Sequence, residues 1–527
     1  MPRRSLIAFL SLASTLHIAV ADAVFNWPDP LLSTLDDALY RPLFSAASTF
    51  ALNCGPRDNS TIAAQWLRLA YHDAATYDVT TGLGGLDASI AYEYTRPQNP
   101  GAGMLESLVD FAVSPNEYVG MADFIAMGAI NAVIGCGGPI IPFRGGRVDA
   151  TEAGPATVPE PQQDLATHTA KFAAQGFNAT EMISLIACGH SLGGVRKVDF
   201  PLVVTEDVST GVQTFTPPPT VNQTVGFDNT LVHEYLDGTT QDVLVVGSNI
   251  TTRSDLRIFS SDNNVTMNQL ADLNTFNEVC VDLIGRMINT VPSSVTLTDN
   301  IEPFDFKVWN TLLFPQGGSL AFLATLRIIE NGLTGTVTMF WASRSDSGSP
   351  CPPSGCSVPS FQVSPAESSF LATLKGVPSF NLHSFNASID LVSSISHFWF
   401  EVDNNDGSAP FVVDNNGKNY TIDQDVVLFD PRRSSFTIAG QFIVVGVKDP
   451  ATDINVTALS TVSGSSPIPM PSNTVLQLKL DTAHPPADGY TFYTAPLPDA
   501  VLSNTIHATV NGTAYSEWVP FLSAPGV

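Results

Sequence analysis

The sequence predicts a mainly α N-terminal half followed by an all-β, sandwich-like C-terminal half. Three observations lead there. At 527 residues the chain exceeds what one hydrophobic core normally organises. Apolar residues recur at helical intervals from about residue 30 to about 292, and after Val291-Pro292 the period changes to two. Hydrophobic residues make up 44% and charged residues 14%, a balance that excludes extensive disorder.

In the first half, Ile62 to Tyr71, Asp123 to Ile134, Thr180 to Ala187 and Met267 to Met287 read as helices. Gly135 to Pro142 and Pro217 to Pro219 read as loops between them. In the second half, Ser319 to Ile329, Gly335 to Ala342, Ser388 to Val402, Ser435 to Val447 and Val475 to Leu480 are rich in Val, Ile, Phe and Thr and read as strands. The expected division is a leader over 1–23, a helical domain over 24–298 and a β-rich domain of unassigned role over 299–527.

Met-Pro-Arg-Arg precedes an apolar run from Leu6 to Ala21 that ends in small residues, the pattern of a signal peptide. The run, bracketed by His17 and Asp22, is short for a membrane span, so no transmembrane anchor is expected. Nine Asn-x-Ser/Thr sequons, at Asn59, Asn178, Asn222, Asn249, Asn264, Asn386, Asn419, Asn455 and Asn511, and an even number of cysteines, six, agree with a secreted, extracellular glycoprotein. The net charge of −27 argues against nucleic acid and anionic membranes as partners.

The chemistry concentrates in two places. Trp66-Leu67-Arg68-Leu69-Ala70-Tyr71-His72-Asp73 sets Arg68 and His72 four residues apart, on one face of one helix. Taken alone, the pair reads more readily as part of a solvated surface helix. In Ile186-Ala187-Cys188-Gly189-His190-Ser191-Leu192-Gly193-Gly194 an apolar helix delivers His190 just before two glycines, where a lone histidine could also be a core residue.

Together with Gly85-x-Asp87-x-Ser89 and Gly145-Gly146-Arg147-x-Asp149-Ala150 between them, these motifs resemble the plant, fungal and bacterial haem peroxidase superfamily over roughly residues 50 to 290. The resemblance implies the family's helical fold, haem b, hydrogen peroxide as oxidant and a small-molecule electron donor. It makes Arg68 and His72 the distal pair above the haem, with Asn99 accepting from the distal imidazole. It makes His190 the axial ligand to iron, with Asp255 accepting from that imidazole. Tyr71 stands where the family has an aromatic ring over the haem, here read as packing. Asp73, Gly85, Asp87 and Ser89 match a distal calcium site, and Ser191 and Asp228 match part of a second, proximal one.

Departures narrow the donor. The positions that hold Mn(II) in fungal manganese peroxidases are Thr61, Gln65 and Arg196 here, which form no carboxylate cage. No tryptophan lies between Trp66 and Trp309, and Leu185 stands near the place of the ligninolytic surface tryptophan. The plant-branch cysteines are replaced by Ala74 and Leu86, while Cys54–Cys136 resembles a fungal pair; Cys188–Cys280 and Cys351–Cys356 complete one pairing among several. The expected function is therefore a secreted haem peroxidase oxidising small, phenol-like donors by one-electron steps, in oxidative-stress response or peroxide removal. Its rival is a haem-binding or cell-surface interaction protein with little turnover, acting through a β-rich domain that meets an extracellular or cell-wall ligand.

Overall fold

The computed structural model describes residues 21–22, 29–41, 54–112, 114–216, 226–329, 335–345, 356–437, 440–449, 451–498 and 501–520, except 463–469. The leader, apart from Ala21 and Asp22, and the expected loop at Pro217–Pro219 lie outside these residues, as do Asn222 and Cys351.

The first part is helical: α1 (Pro30–Tyr40), α2 (Ile62–Ala74), α3 (Ala102–Phe111), α4 (Met121–Gly135), α5 (Leu165–Ala174), α6 (Ala179–His190), α7 (Thr230–Asp237), α8 (Val243–Val246), α9 (Ser254–Phe259), α10 (Val265–Leu270) and α11 (Leu273–Ile288). Helix α4 is apolar on every side and buried from Met121 to Ile134, so it forms the centre of the core against which α2 and α3 pack. The Gly-Gly-Arg-x-Asp-Ala motif explains how this central helix starts. Asp149 accepts the Met121 and Ala122 N–H groups at 2.8 Å, which α4 itself cannot satisfy. Arg147 pairs with Asp123 of α4 at 2.8 Å with both side chains fully buried, and its fork also donates to the Ile288 carbonyl at the end of α11.

Two disulfides, Cys54–Cys136 and Cys188–Cys280, tie the entrance of α2 to the end of α4 and join α6 to α11. The expected helix from Met267 to Met287 is two helices. Asp272 interrupts it, because its carboxylate accepts the Thr275 N–H at 2.8 Å and so starts α11 anew.

The second part is antiparallel β: β1 (Phe306–Gln316), β2 (Ser319–Ile329), β3 (Thr336–Ala342), β4 (Ser357–Pro359), β5 (Gln362–Glu367), β6 (Ser379–Ile389), β7 (His397–Asp403), β8 (Phe411–Val413), β9 (Tyr420–Thr421), β10 (Val427–Phe429), β11 (Ser435–Thr437), β12 (Gly440–Val447), β13 (Ala451–Val462), β14 (Met470–Gln477), β15 (Lys479–Leu480), β16 (Thr491–Pro496), β17 (Val501–Val510) and β18 (Thr513–Pro520), with a short helix α12 (Phe370–Leu374) between β5 and β6. The β-rich reading is borne out, with four sheets where a simple sandwich has two. Their orders are β5-β6-β2-β1; β8-β7-β3-β4 with β9 beside β7; β10-β12-β16-β15 with β11 beside β12; and β18-β17-β13-β14 with Ala21–Asp22 pairing in parallel along the outer edge of β18. The first two sheets enclose one apolar core and the last two another. Strand β12 serves both, Val444 facing the first core and Ile443, Val445 and Val447 the second, which is why it reads as a continuous apolar run.

Three expected strands divide, Val475 to Leu480 breaking at Leu478 into the end of β14 and β15. Within Ser388 to Val402, Asp390 accepts the Val392 and Ser393 N–H groups at 3.0 and 2.8 Å and turns the chain between β6 and β7. Ser435 to Val447 folds back on itself, Ser435 pairing with Phe442 as β11 meets β12.

The helical and β-rich parts meet through a buried ion cluster. Lys307 of β1 lies 3.2 Å from Asp36 and 2.8 Å from Asp37 of α1, and Arg327 of β2 lies 2.6 Å from Asp36. Lys307, Arg327 and Asp36 are fully enclosed. Arg41 completes the cluster at 3.3 Å from Asp37, with its guanidinium 4.0 Å above the Trp309 ring. Removing one member strands the others without water. Asp36→Ala is therefore expected to destabilise the protein by about 3–5 kcal/mol in denaturant unfolding; a loss below about 1 kcal/mol would show that the cluster is solvated.

Candidate active site

Helix α2 starts where Thr61 accepts the Ala64 N–H at 3.1 Å, and it is anchored by Trp66, whose indole donates to Asp110 of α3 at 2.7 Å. Its Trp66 and Leu69 side is buried in the core, so the opposite stripe of Ala64, Leu67, Arg68, Tyr71 and His72 lines a cavity of about 600 Å³. Across that cavity Ile186, Gly189 and His190 of α6 form the facing wall. Helix α6 begins with a reciprocal cap between Asn178 and Glu181. After it, Gly193 adopts φ +92°, and a Cβ there would stand 2.7 Å from that of Ala64. Only glycine lets the chain after His190 approach α2 so closely.

His72 Nδ1 lies 2.8 Å from Asn99 Oδ1, and Asn99 Nδ2 donates to the Glu93 carbonyl at 3.0 Å. The second bond fixes the first. A carbonyl can only accept, so the amide nitrogen of Asn99 faces Glu93 and its oxygen faces the imidazole. Nδ1 of His72 therefore carries the proton and Nε2 keeps its lone pair. Burial and the nearby Arg68 charge bring the His72 pKa down to about 3, so the ring stays neutral in mild acid. Arg68 donates to the Pro100 carbonyl at 3.0 Å; burial lowers it to about 10, which leaves it charged at neutral pH. Tyr71 stacks on Phe172 at 6.0 Å and meets His72 edge-on at 6.1 Å.

On the facing wall His190 Nδ1 lies 2.6 Å from Asp255 Oδ2, and Ser254 donates to the other Asp255 oxygen at 3.0 Å. Asp255 is 1% exposed, whereas the His190 side chain is 31% exposed. With Nδ1–H committed to the carboxylate, Nε2 of His190 has the free lone pair, and Phe215 stacks on the ring at 4.5 Å and 17°. An apolar cavity with a histidine lone pair on each side suits a flat macrocycle with a ligand-hungry metal, and its volume lies in the cofactor range.

Sequence reasoning missed Asp242, the residue that caps α8. It is fully buried, and burial together with the Asp255 charge holds its carboxyl well above the usual range. Burial and the neighbouring Asp255 both disfavour a second negative charge beside the His190 partner. The two residues are thirteen apart in the chain, and no spacing rule links them.

Asp73, Gly85, Asp87 and Ser89 come together beneath α2. Asp73 is fully buried, its oxygens accepting N–H groups of Ala88 at 2.7 Å and Ile90 at 2.9 Å and the Ser89 hydroxyl at 3.4 Å. Asp87 accepts the Ser89 N–H at 3.1 Å, and Gly85 exchanges bonds with the Thr76 hydroxyl. Burial and mutual repulsion raise the Asp73 carboxyl. Among the described residues no three His, Cys, Asp or Glu side chains converge as a cation cage. Ser191 donates to the Cys188 carbonyl at 2.8 Å and Asp228 accepts the Thr230 N–H at 2.9 Å, separate local bonds.

At the positions compared with the manganese site, Thr61 caps α2 and Gln65 donates to Asp58 at 3.2 Å and Glu106 at 3.1 Å. Arg196 sits 3.6 Å from both Asp58 and Asp199. Carboxylates are thus nearby from other elements, but arginine neutralises them.

The sequence model of the Peroxidase family matches residues 48–272. The chain is 35% identical over 317 residues to a WSC domain-containing protein of Arthroderma benhamiae, covering 58% of this chain and 43% of that protein. It is 34% identical over 133 residues to L-ascorbate peroxidase 5, peroxisomal, of Arabidopsis thaliana, covering 25% of this chain and 47% of that protein. It is 31% identical over 165 residues to the mitochondrial cytochrome c peroxidase of Yarrowia lipolytica, covering 30% and 48%. The chain thus spans less than half the length of these relatives. Residues 48–272 form a domain of the haem peroxidase superfamily.

The contact at Gly193 yields a direct test. Gly193→Ala is expected to cost about 1–3 kcal/mol in denaturant unfolding, since it forces positive φ on alanine and pushes on Ala64. Unchanged stability would mean that the α2–α6 spacing is slack.

Proposed function

We propose that this protein is a secreted peroxidase that binds haem b between α2 and α6 and uses hydrogen peroxide to oxidise small organic, phenol-like donors by one-electron steps. One observation carries the reading: His72 with Asn99 and His190 with Asp255 stand on opposite walls of one cavity, each presenting an Nε2 lone pair. When bound, haem supplies the iron at which peroxide reacts and the electrons that split it. The residues do the rest. His190 Nε2 would hold the iron, and Asp255, accepting a hydrogen bond from the His190 Nδ1–H, makes Nε2 a stronger donor. His72 Nε2 would take a proton from one peroxide oxygen and return it to the other, which would leave as water. Arg68 stabilises the negative charge that develops on the departing oxygen.

Calcium belongs to the same proposal. Asp73, Asp87, the Gly85 carbonyl and Ser89 offer the hard oxygens it requires, and a divalent cation would relieve two neighbouring buried carboxylates. Ser191 and Asp228 would contribute to a second, proximal ion. The signal-like leader, nine sequons and two disulfides support an extracellular setting, with peroxide removal as the role. The pairing of Arg68 with His72 favours turnover over haem storage, since binding alone needs only His190. Arg196 beside Asp58 and Asp199 disfavours Mn(II) as the donor.

His190→Ala is expected to abolish the normal haem absorption spectrum of the purified protein; a spectrum like that of the parent would refute the axial assignment. His72→Leu should keep the haem and slow its reaction with peroxide by at least ~10²-fold in stopped-flow mixing, and an unchanged rate would remove His72 from the mechanism.

The pH profile follows from the same residue. The folded pKa of His72 lies below its free value of 6.5, so the base form persists until pH falls through about 3. The rate of reaction with peroxide should therefore stay level from about pH 8 to about pH 5. A decline with its midpoint near 6.5 would contradict the buried, neutral His72.

A further inference from the structure

The sheet β8-β7-β3-β4 buries one face and leaves the other outward. In β7, Phe398, Phe400 and Val402 enter the core, so His397, Trp399, Glu401 and Asp403 point away from it. In β3, Val337, Met339 and Trp341 enter the core, and Thr336, Thr338 and Phe340 point outward. Outward strand positions normally carry polar side chains. Here three of them carry half-buried rings that touch one another. The register sets Trp399 opposite Phe340, with centroids 5.8 Å apart and planes 11° apart. His397, two residues along β7, meets Trp399 from a second side at 5.9 Å and 29°, so the three rings form a corner, and the Ser396 hydroxyl lies 3.0 Å from its ring.

Polar groups fringe the rings in register. Glu401 lies opposite Thr338, Asp403 opposite Thr336, Thr421 opposite His397 and Ser357 opposite Phe340. A cross-strand aromatic pair alone would add modestly to sheet stability. A third ring, tilted 29° from Trp399 and with hydroxyls and carboxylates beside it, makes a surface suited to a ligand with flat apolar faces and hydroxyl edges. We propose that this face of the β-rich domain binds a neutral polysaccharide, whose sugar rings stack on Phe340, Trp399 and His397 while its hydroxyls bond Glu401 and Thr338.

Charge decides between ring-stacking polymers. Single-stranded nucleic acid also stacks on aromatic rows, but it carries a phosphate per nucleotide. The net charge of −27, with Glu401 and Asp403 beside the rings, repels it. A neutral glycan meets no such repulsion. The inference is independent of the peroxidase reading, since none of these residues lines the α2–α6 cavity.

The full chain should be retained by at least one of insoluble cellulose, chitin and β-1,3-glucan, and retention should survive about 1 M NaCl, since stacking is not screened. Trp399→Ala should weaken it by about tenfold or more, the size that loss of one stacking ring produces, while Trp399→Phe keeps it within about threefold. Far-ultraviolet circular dichroism and peroxide turnover should be unchanged in both variants, separating lost binding from lost fold. Retention by none of the three polymers, or equal retention of Trp399→Ala, would overturn the proposal. So would salt-sensitive, Trp399-dependent binding of a single-stranded DNA probe in their place.

Discussion

The bond between His190 and Asp255 is the constraint around which the helical part is arranged. A carboxyl group that is 1% exposed needs a partner for each oxygen, and here His190 and Ser254 supply them. That requirement fixes the end of α6 against the start of α9. It leaves the His190 Nε2 lone pair toward the cavity, and burial with the Asp255 charge raises the Asp242 carboxyl beside the pair. The disulfide to α11, the capping box at Asn178 and the Gly193 contact with α2 hold the wall that carries this pair. The distal wall repeats the logic with Asn99, whose own bond to a carbonyl decides which nitrogen of His72 is free.

The two parts of the chain share their packing. Strand β2 is buried on both faces because Phe322 and Leu326 face the β core while Arg327 and Ile329 face the helical part. Leu371, Ala372 and Phe380, from α12 and β6, join the helical core. With Lys307 and Arg327 closing on Asp36 and Asp37, α1 is held as much by the β-rich part as by the helices. The helical part was therefore shaped with this neighbour in place, and its lower edge would otherwise expose buried acids.

How much of this was legible depended on the range of the signal. Local signals served well: Arg68 and His72 four apart do line one cavity, and Ser319 to Ile329 is a strand end to end. The change of period near Pro292 separated helices from sheets. Longer-range arrangements were not legible. Asp242 beside Asp255, and Asp58 and Glu106 around Gln65, come from elements that no periodicity connects. The breaks inside Ser388 to Val402 and Met267 to Met287 each turn on one aspartate whose side chain captures a backbone N–H, a cue that apolar periodicity overrides. The sharing of β12 between two cores was visible only as an unusually apolar strand.

The central claim is that two histidines face one haem across one cavity and act on peroxide. It is tested most directly by the visible absorption spectrum of the purified, haem-loaded protein before and after one equivalent of hydrogen peroxide. The account predicts a single histidine-ligated ferric spectrum that changes within seconds of mixing and returns on addition of a phenolic donor. A spectrum showing both axial positions filled by histidine, or one that peroxide leaves unchanged, would contradict it.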